Sequence, residues 1–158
     1  MHIYIDADAC PSIIKQLLYK AVQKRKLNLT LVANQYMRVP ESEFINFIKV
    51  DAGADVADQK IAEMVEENDV VITQDIPLAD IVVSKKAFAI NPRGKLYTER
   101  NIKDSLSMRD LMTDLRSSGI ETGGPAPFGD REKQEFANSF DRIVTKIQNK
   151  EKKSQKPD

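Results

Sequence analysis

The chain has 158 residues, 41% of them hydrophobic and 30% charged, which is typical of one soluble globular domain with its own core. Equal numbers of acidic and basic residues give a net charge of zero, so no overall positive field indicates nucleic acid, although local patches can still bind it. The single cysteine, Cys10, excludes an internal disulfide and fits a reducing cytoplasm. We expect a cytoplasmic protein, because the chain shows neither a secretory leader nor an apolar run of ~20 residues.

The first stretch predicts a strand that ends in acids and leads into a helix. His2 to Ile5 is rich in β-branched and aromatic residues, and Asp6 and Asp8 follow directly. Pro11 suits the first turn of a helix, and apolar residues at helical spacing extend that helix to about residue 25. Acids at this point lie at the carboxyl end of a sheet, where ligands bind in open α/β folds.

The next segments repeat the strand-to-helix pattern. Strands are predicted over residues 27–33 and 46–50, and a helix then runs to about Glu67. Asp55 and Asp58, three residues apart at the start of that helix, share one helical face. They are either caps of the helix or ligands of a shared cation, and the pattern leaves both open.

The clearest strand is predicted over residues 69–75. Its continuous apolar run is typical of a parallel strand buried on both faces, and it ends in an acid, Asp75. Asp80 lies in the first turns of the helix that follows, and a further strand covers residues 88–90. This alternation predicts a three-layer α/β/α fold with a mostly parallel central sheet.

The remainder of the chain predicts C-terminal helices. One covers residues 105–117 and another residues 130–149, with a stiff glycine- and proline-rich loop at 123–129 between them. We therefore expect a single α/β domain over residues 1–149 and a charged, flexible tail over 150–158.

Acids from three segments are predicted to meet at one edge of the sheet. Carboxylates brought together repel unless a cation lies between them, and hard oxygen ligands favour Mg²⁺ or Mn²⁺. Zinc is disfavoured, because the lone histidine, His2, lies at the opposite end of its strand. The alternative is that the acids are independent caps and solvated ends. The candidate metal ligands are Asp6, Asp8, Asp55, Asp58, Asp75 and Asp80.

Other polar residues near this edge are candidates for substrate binding. Arg93, Lys95 and Arg100 follow the last strand and can contact phosphates, although ordinary surface cations give the same pattern. Thr73 can orient a water molecule or an acid. Cys10 is expected to be a packed residue, because a catalytic thiol needs a histidine base and none lies near it in the sequence.

Five motifs resemble the YaiI/YqxD family of uncharacterised bacterial proteins, over about residues 1–149. The motifs are Asp6-Ala7-Asp8-Ala9-Cys10-Pro11, Gly53-Ala54-Asp55-Val56-Ala57-Asp58, Ile72-Thr73-Gln74-Asp75-Ile76-Pro77-Leu78-Ala79, Asn91-Pro92-Arg93-Gly94 and Thr122-Gly123-Gly124-Pro125-Ala126-Pro127-Phe128. The family has no established activity. It is similar in turn to PIN and NYN nuclease-like domains, which hold Mg²⁺ or Mn²⁺ with acids at a parallel-sheet edge and cut RNA.

This resemblance implies a PIN-like fold and assigns the acids. Asp6 matches the acid after the first strand, and Asp75 matches the acid after the fourth. Asp58 or Asp55 matches the helical acid, and Asp80 can stand for the fourth acid. A second acid beside Asp6 departs from the commoner single acid there, which leaves open whether one or two metals bind.

The leading hypothesis is a divalent-metal-dependent nuclease-like enzyme acting on RNA or another phosphodiester. A haloacid-dehalogenase-like phosphatase with Asp6 as nucleophile is one alternative, and a non-catalytic RNA-binding protein of the same fold is another. The oligomeric state stays open, with a homodimer among the options. The candidate catalytic residues are Asp6, Asp8, Asp58 and Asp75.

Overall fold

The computed structural model describes residues 1–53, 55–104 and 128–155. Strands and helices alternate through the first two ranges, a helical segment covers residues 99–104, and one long helix fills the third. The elements are β1 (His2–Asp6), α1 (Ser12–Arg25), β2 (Asn28–Ala33), β3 (Ile45–Lys49), α2 (Val56–Met64), β4 (Val70–Ile72), α3 (Ile76–Ser84), β5 (Phe88–Ile90) and α4 (Asp130–Gln155).

The strands form one five-stranded sheet in the order β3-β2-β1-β4-β5, and every pairing is parallel. β1 is the central strand, so Ile5 pairs with Leu31 on one side and with Ile72 on the other. The chain builds outward from β1 through β2 and β3, and then crosses over to β4 on the opposite side. This reversal opens a crevice beyond the carboxyl ends of β1 and β4, where open α/β sheets bind ligands.

Helices cover both faces of the sheet, which confirms the predicted three-layer α/β/α class. Ile3 and Ile5 point to the face covered by α1 and α4, where Phe136 is fully buried. Tyr4 points to the opposite face, against Ile61 of α2 and Leu78 of α3. Because side chains alternate along a strand, Asp6 lies on the same side as Tyr4, toward α2 and α3.

The helix α2 ends at Met64, earlier than the predicted end near Glu67. The side chain of Asp69 accepts hydrogen bonds from the backbone N–H groups of Glu66 (2.8 Å) and His2 (2.9 Å). These bonds hold a turn between α2 and β4, and Val65 already has an extended backbone. A local side-chain bond to the backbone therefore replaces the last helical turn.

The helix α4 continues through Gln155, beyond the predicted end near Asn149. The Glu151 carboxylate lies 3.1 Å from the Met1 amine, and the Lys150 amine lies 3.4 Å from the Asn68 side chain. These contacts, with helix-favouring lysine and glutamate, account for the extension. The predicted helix over 105–117 and most of the 123–129 loop lie outside the described residues, and the domain boundary remains a prediction.

None of the helices in the described ranges is long and apolar enough to cross a membrane.

Candidate metal centre

The central strands bring two of the predicted acids side by side. Asp6 is the last residue of β1, and Asp75 follows β4, which pairs directly with β1. The backbone N–H of Thr73 bonds to the Ile90 carbonyl at 3.0 Å, so the sheet pattern continues almost to Asp75. Parallel pairing therefore places both carboxylates in the crevice beyond the sheet.

Asp55 and Asp58 reach the same crevice from the start of α2. Asp55 has a left-handed backbone, with φ of 65° and ψ of 9°, which is uncommon for a residue other than glycine. Its carbonyl accepts the Gln59 N–H at 2.9 Å, but its side chain makes no capping hydrogen bond to described residues. Helix capping therefore does not account for the Asp55 carboxylate, and Asp58 lies one turn further on.

Carboxylate oxygens of Asp55, Asp58 and Asp75 all lie within 4.8 Å of one another. Asp6 joins them through a hydrogen bond between its carboxylate and the Asp58 carboxyl, which requires a proton shared between the two acids. We call Asp6, Asp55, Asp58 and Asp75 the acidic group. The sequence predicted all four as metal ligands, and the fold brings them together from three separate segments.

Burial and mutual repulsion hold protons within the acidic group. Burial first, and then the charges of Asp75 and Asp6, raise the pKa of Asp58 to about 7. Burial also raises the pKa of Asp6, and the charges of Asp8 and Asp75 act in the same direction. Two carboxylate oxygens, Asp6 Oδ1 and Asp58 Oδ1, are buried without a hydrogen-bond partner among the described residues. Such buried acceptors are costly unless a hydrogen-bond donor or a cation pairs with them.

Asp75 is fixed by hydrogen bonds on either side of it. Its Oδ1 accepts the Leu78 N–H at 2.8 Å, which caps α3. Its own N–H donates to Thr73 Oγ1 at 2.9 Å, and Thr73 is buried. Thr73 therefore orients an acid, which is one of its two predicted roles, and its contact with substrate remains a prediction.

Asp8 and Asp80 lie outside the set of close oxygens. Asp8 is exposed, its side chain accepts the Asn34 N–H at 2.7 Å, and its backbone donates to the Asp6 carboxylate. Asp80 is exposed on α3. Asp8 thus borders the acidic group, whereas Asp80 is not among the close carboxylates. A metal-binding role for either remains a prediction.

The three predicted phosphate-binding cations lie beyond β5. Arg93 lies over the Phe128 ring at 5.3 Å, and its guanidinium is 3.7 Å from the Glu132 carboxylate at the start of α4. Lys95 and Arg100 have exposed side chains. Arg93 is thus engaged with α4, and phosphate contacts by any of the three remain predictions.

A polar pair that was not predicted from the sequence lies beside the acidic group. Tyr97 is 7% exposed, and its side chain is hydrogen-bonded to that of Asn91, which follows β5. Burial and the nearby charge of Asp75 raise the pKa of Tyr97, whereas the bond from Asn91 opposes this shift. Leu96 forms an isolated antiparallel bridge to Ile90 and returns the chain to the sheet edge. The position of Asn91 after a strand was the available signal, but the return of Tyr97 depends on tertiary contacts.

Cys10 is a packed residue rather than an activated thiol. Its sulfur lies 3.6 Å from the Pro11 carbonyl and packs against the core between α1 and the sheet. Burial raises the pKa of this thiol to about 12, and the charge of Lys15 acts in the opposite direction.

We expect Cys10 in the folded protein to react slowly with iodoacetamide at about pH 8, because little thiolate forms. In concentrated urea the same thiol should react at the rate of a free cysteine. Mass spectrometry of timed samples measures both rates, and rapid alkylation of the folded protein would contradict the assignment.

The fold and the acidic group define an α/β protein with a parallel sheet. Its carboxylate-lined crevice lies where the order of the strands reverses, between β1 and β4. The chain belongs to the YaiI/YqxD family, described as an uncharacterized family, whose model matches residues 4–146. The resemblance drawn from the five motifs is therefore confirmed at the level of the family.

Curated relatives cover nearly the whole chain. It is 52% identical to a UPF0178 protein of Hydrogenovibrio crunogenus, over 92% of this chain and 97% of that protein. It is 54% identical to a UPF0178 protein of Maridesulfovibrio salexigens, over 95% of this chain and 99% of the relative. No solved structure matches the chain.

Proposed function

We propose that this chain is a divalent-metal-dependent nuclease-like protein that acts on RNA or another phosphodiester. The proposal depends on one observation. Carboxylate oxygens of Asp55, Asp58 and Asp75 lie within 4.8 Å of one another, and the Asp6 carboxylate is hydrogen-bonded to Asp58. Independent caps or solvated acids would not need to converge. Burial first, and then the charges of Asp75 and Asp6, raise the pKa of Asp58 to about 7.

The residues present fit Mg²⁺ or Mn²⁺. Every candidate ligand is a carboxylate oxygen, which suits hard divalent cations, and two of those oxygens are buried without partners among the described residues. Asp55, Asp58 and Asp75 would hold the ion, with Asp6 beside them. A divalent ion bound there supplies Lewis acidity that stabilises charge on a reacting phosphoryl group.

The surrounding residues have distinct roles in this proposal. Thr73 and the Leu78 N–H fix the Asp75 carboxylate from opposite sides. We propose that Asp8 is the general base that accepts a proton from an attacking water. Asp8 is exposed and lies next to Asp6, but its carboxylate is not among the close oxygens of the acidic group. We assign phosphate contacts to Arg93, Lys95 and Arg100, which follow β5 in the chain.

Cleavage assays with and without Mn²⁺ test the proposal. The full chain should cleave at least one of single-stranded RNA, double-stranded RNA, single-stranded DNA or double-stranded DNA when Mn²⁺ is present. Asp58→Asn should reduce this cleavage by more than about 100-fold, because it removes a ligand at the centre of the acidic group. The matched control is Glu63→Gln, which removes one negative charge from an exposed position on the same helix and should leave cleavage unchanged.

Metal-independent cleavage, or full cleavage by Asp58→Asn, would contradict the proposal. Binding of RNA by the wild-type chain without cleavage of any substrate would favour the non-catalytic alternative.

The phosphatase alternative has less support. Its nucleophile would be Asp6, but Asp6 Oδ1 is buried and the carboxylate is hydrogen-bonded to Asp58. The hydroxyl of Thr73, after β4, accepts the Asp75 N–H. Trapping a phospho-aspartate at Asp6 with a phosphate mimic would favour the phosphatase over the nuclease.

A further inference from the structure

A pocket leads away from the acidic group between α2 and α3. It has a volume of about 230 Å³, and Asp55, Asp58 and Asp75 form its acidic end. Beyond these acids the lining carries no charged side chain among the described residues: it consists of Gln59, Ala62, Pro77, Leu78 and Ile81. One continuous pocket thus joins a candidate cation site to an uncharged compartment.

We propose that this compartment binds the base of a nucleotide whose phosphate lies at the acidic group, an inference that rests on the proposed function. The three acids would repel the phosphate unless a cation lies between them. A cation bound by the acids would therefore hold the phosphate at the acidic end of the pocket. The uncharged portion of the same ligand must then lie along Ala62, Pro77 and Ile81.

The size and chemistry of the compartment favour a single base over a longer strand or a peptide. The whole pocket, with its acidic end included, has a volume of about 230 Å³, which is below the roughly 300–1,000 Å³ of pockets for drug-sized ligands. The part beyond the acids therefore accepts no more than one ring system. Proteins that bind unpaired bases commonly enclose them with apolar side chains and hydrogen-bond one edge. Gln59 supplies an amide that can both donate to and accept from a base edge.

The exposure of Ile81 supports the same assignment. Ile81 is 41% exposed and is one of only three large apolar side chains that remain exposed within the described ranges. It lies at the rim of the pocket beside Pro77, which is also exposed. A bound base would cover both side chains and remove apolar surface from water.

Calorimetric titration of the full chain tests this inference in two stages. Mn²⁺ alone is titrated first. AMP and ribose 5-phosphate are then titrated separately into the Mn²⁺-loaded protein, because ribose 5-phosphate has the sugar and phosphate but no base. We expect AMP to bind at least about tenfold more tightly than ribose 5-phosphate.

Two variants test whether the preference for AMP over ribose 5-phosphate arises in the uncharged compartment. Ala62→Phe should fill the compartment and bring AMP to within about twofold of ribose 5-phosphate, with the Mn²⁺ affinity unchanged. Ile81→Ser changes an exposed position, where a substitution usually has a small effect on stability. It should weaken the binding of AMP but not that of ribose 5-phosphate. It therefore provides the test if Ala62→Phe fails to fold.

The outcomes separate the inference from the proposed function. Equal affinities for AMP and ribose 5-phosphate on the Mn²⁺-loaded wild type, or an unchanged preference in folded Ala62→Phe and in Ile81→Ser, would overturn the base pocket alone. Absence of Mn²⁺ binding in the first stage would overturn both. A preference for AMP without cleavage of any nucleic acid would support the pocket and contradict the nuclease.

Discussion

Replacing Asp58 by asparagine should raise the melting temperature of the metal-free protein at about pH 8. The pKa of Asp58 is about 7 in the folded protein and near 3.8 in the unfolded chain. The folded state therefore holds this proton more tightly, and the stabilisation is complete below about pH 4 and is lost as the pH rises through 7. At pH 8 the wild type confines a charged Asp58 beside Asp6 and Asp75, whereas asparagine stays neutral.

We expect a gain of about 1–2 kcal/mol in the free energy of unfolding, after allowing for solvent screening of this partly exposed carboxyl. For a chain of this length, that gain corresponds to an increase of roughly 2–8 °C. Thermal unfolding in EDTA between about pH 5 and pH 8 is the measurement. The wild type should lose stability across this range more steeply than Asp58→Asn, and Glu63→Gln should follow the wild type. A lower melting temperature for Asp58→Asn at pH 8 would mean that Asp58 is a structural acid.

Replacing Gly94 by alanine should strongly destabilise the protein. Gly94 has a φ of +93°, which is strained for any residue with a side chain. An added Cβ would lie 2.7 Å from the backbone carbonyl carbon and oxygen of Glu135 in α4. The turn after β5 packs directly against α4, so neither backbone can move aside easily.

The combined strain and overlap should cost about 2–4 kcal/mol, or roughly 5–15 °C in melting temperature. Gly129→Ala is the matched control, because its added Cβ would come no closer than 3.7 Å to Glu132 Oε2. That change should cost less than about 1 kcal/mol. Equal melting temperatures for the two variants would show that the turn is not held against α4 as described.

The strands were predictable because their signals are local. The apolar run at Val70–Ile72 indicated a strand buried on both faces, and β4 lies inside the sheet next to the central strand. Parallel strands separated by helices then required the acids after β1 and β4 to share an edge. The sequence alone could therefore place Asp6 and Asp75 at the same edge of the sheet.

The details of the acidic group depend on features that no local pattern specifies. The left-handed backbone at Asp55 is uncommon for a residue other than glycine, and no local pattern predicts it. The sequence therefore could not distinguish the Asp55 side chain from a helix cap. Asp80 follows Asp75 by five residues, which rotates it about 140° around α3. The orientation of α3 is set by its buried face, which includes Leu78 and Ala79. Asp80 is exposed as a result.

The central claim is that the acidic group is a divalent-cation site, and Mn²⁺ titration by calorimetry at about pH 7.5 tests it most directly. Wild type and Glu63→Gln should show saturable binding. Asp58→Asn should show none, and neither should Asp75→Asn, in which asparagine can still cap α3. No saturable Mn²⁺ binding by the folded wild type, or equal binding by Asp58→Asn, would contradict the claim.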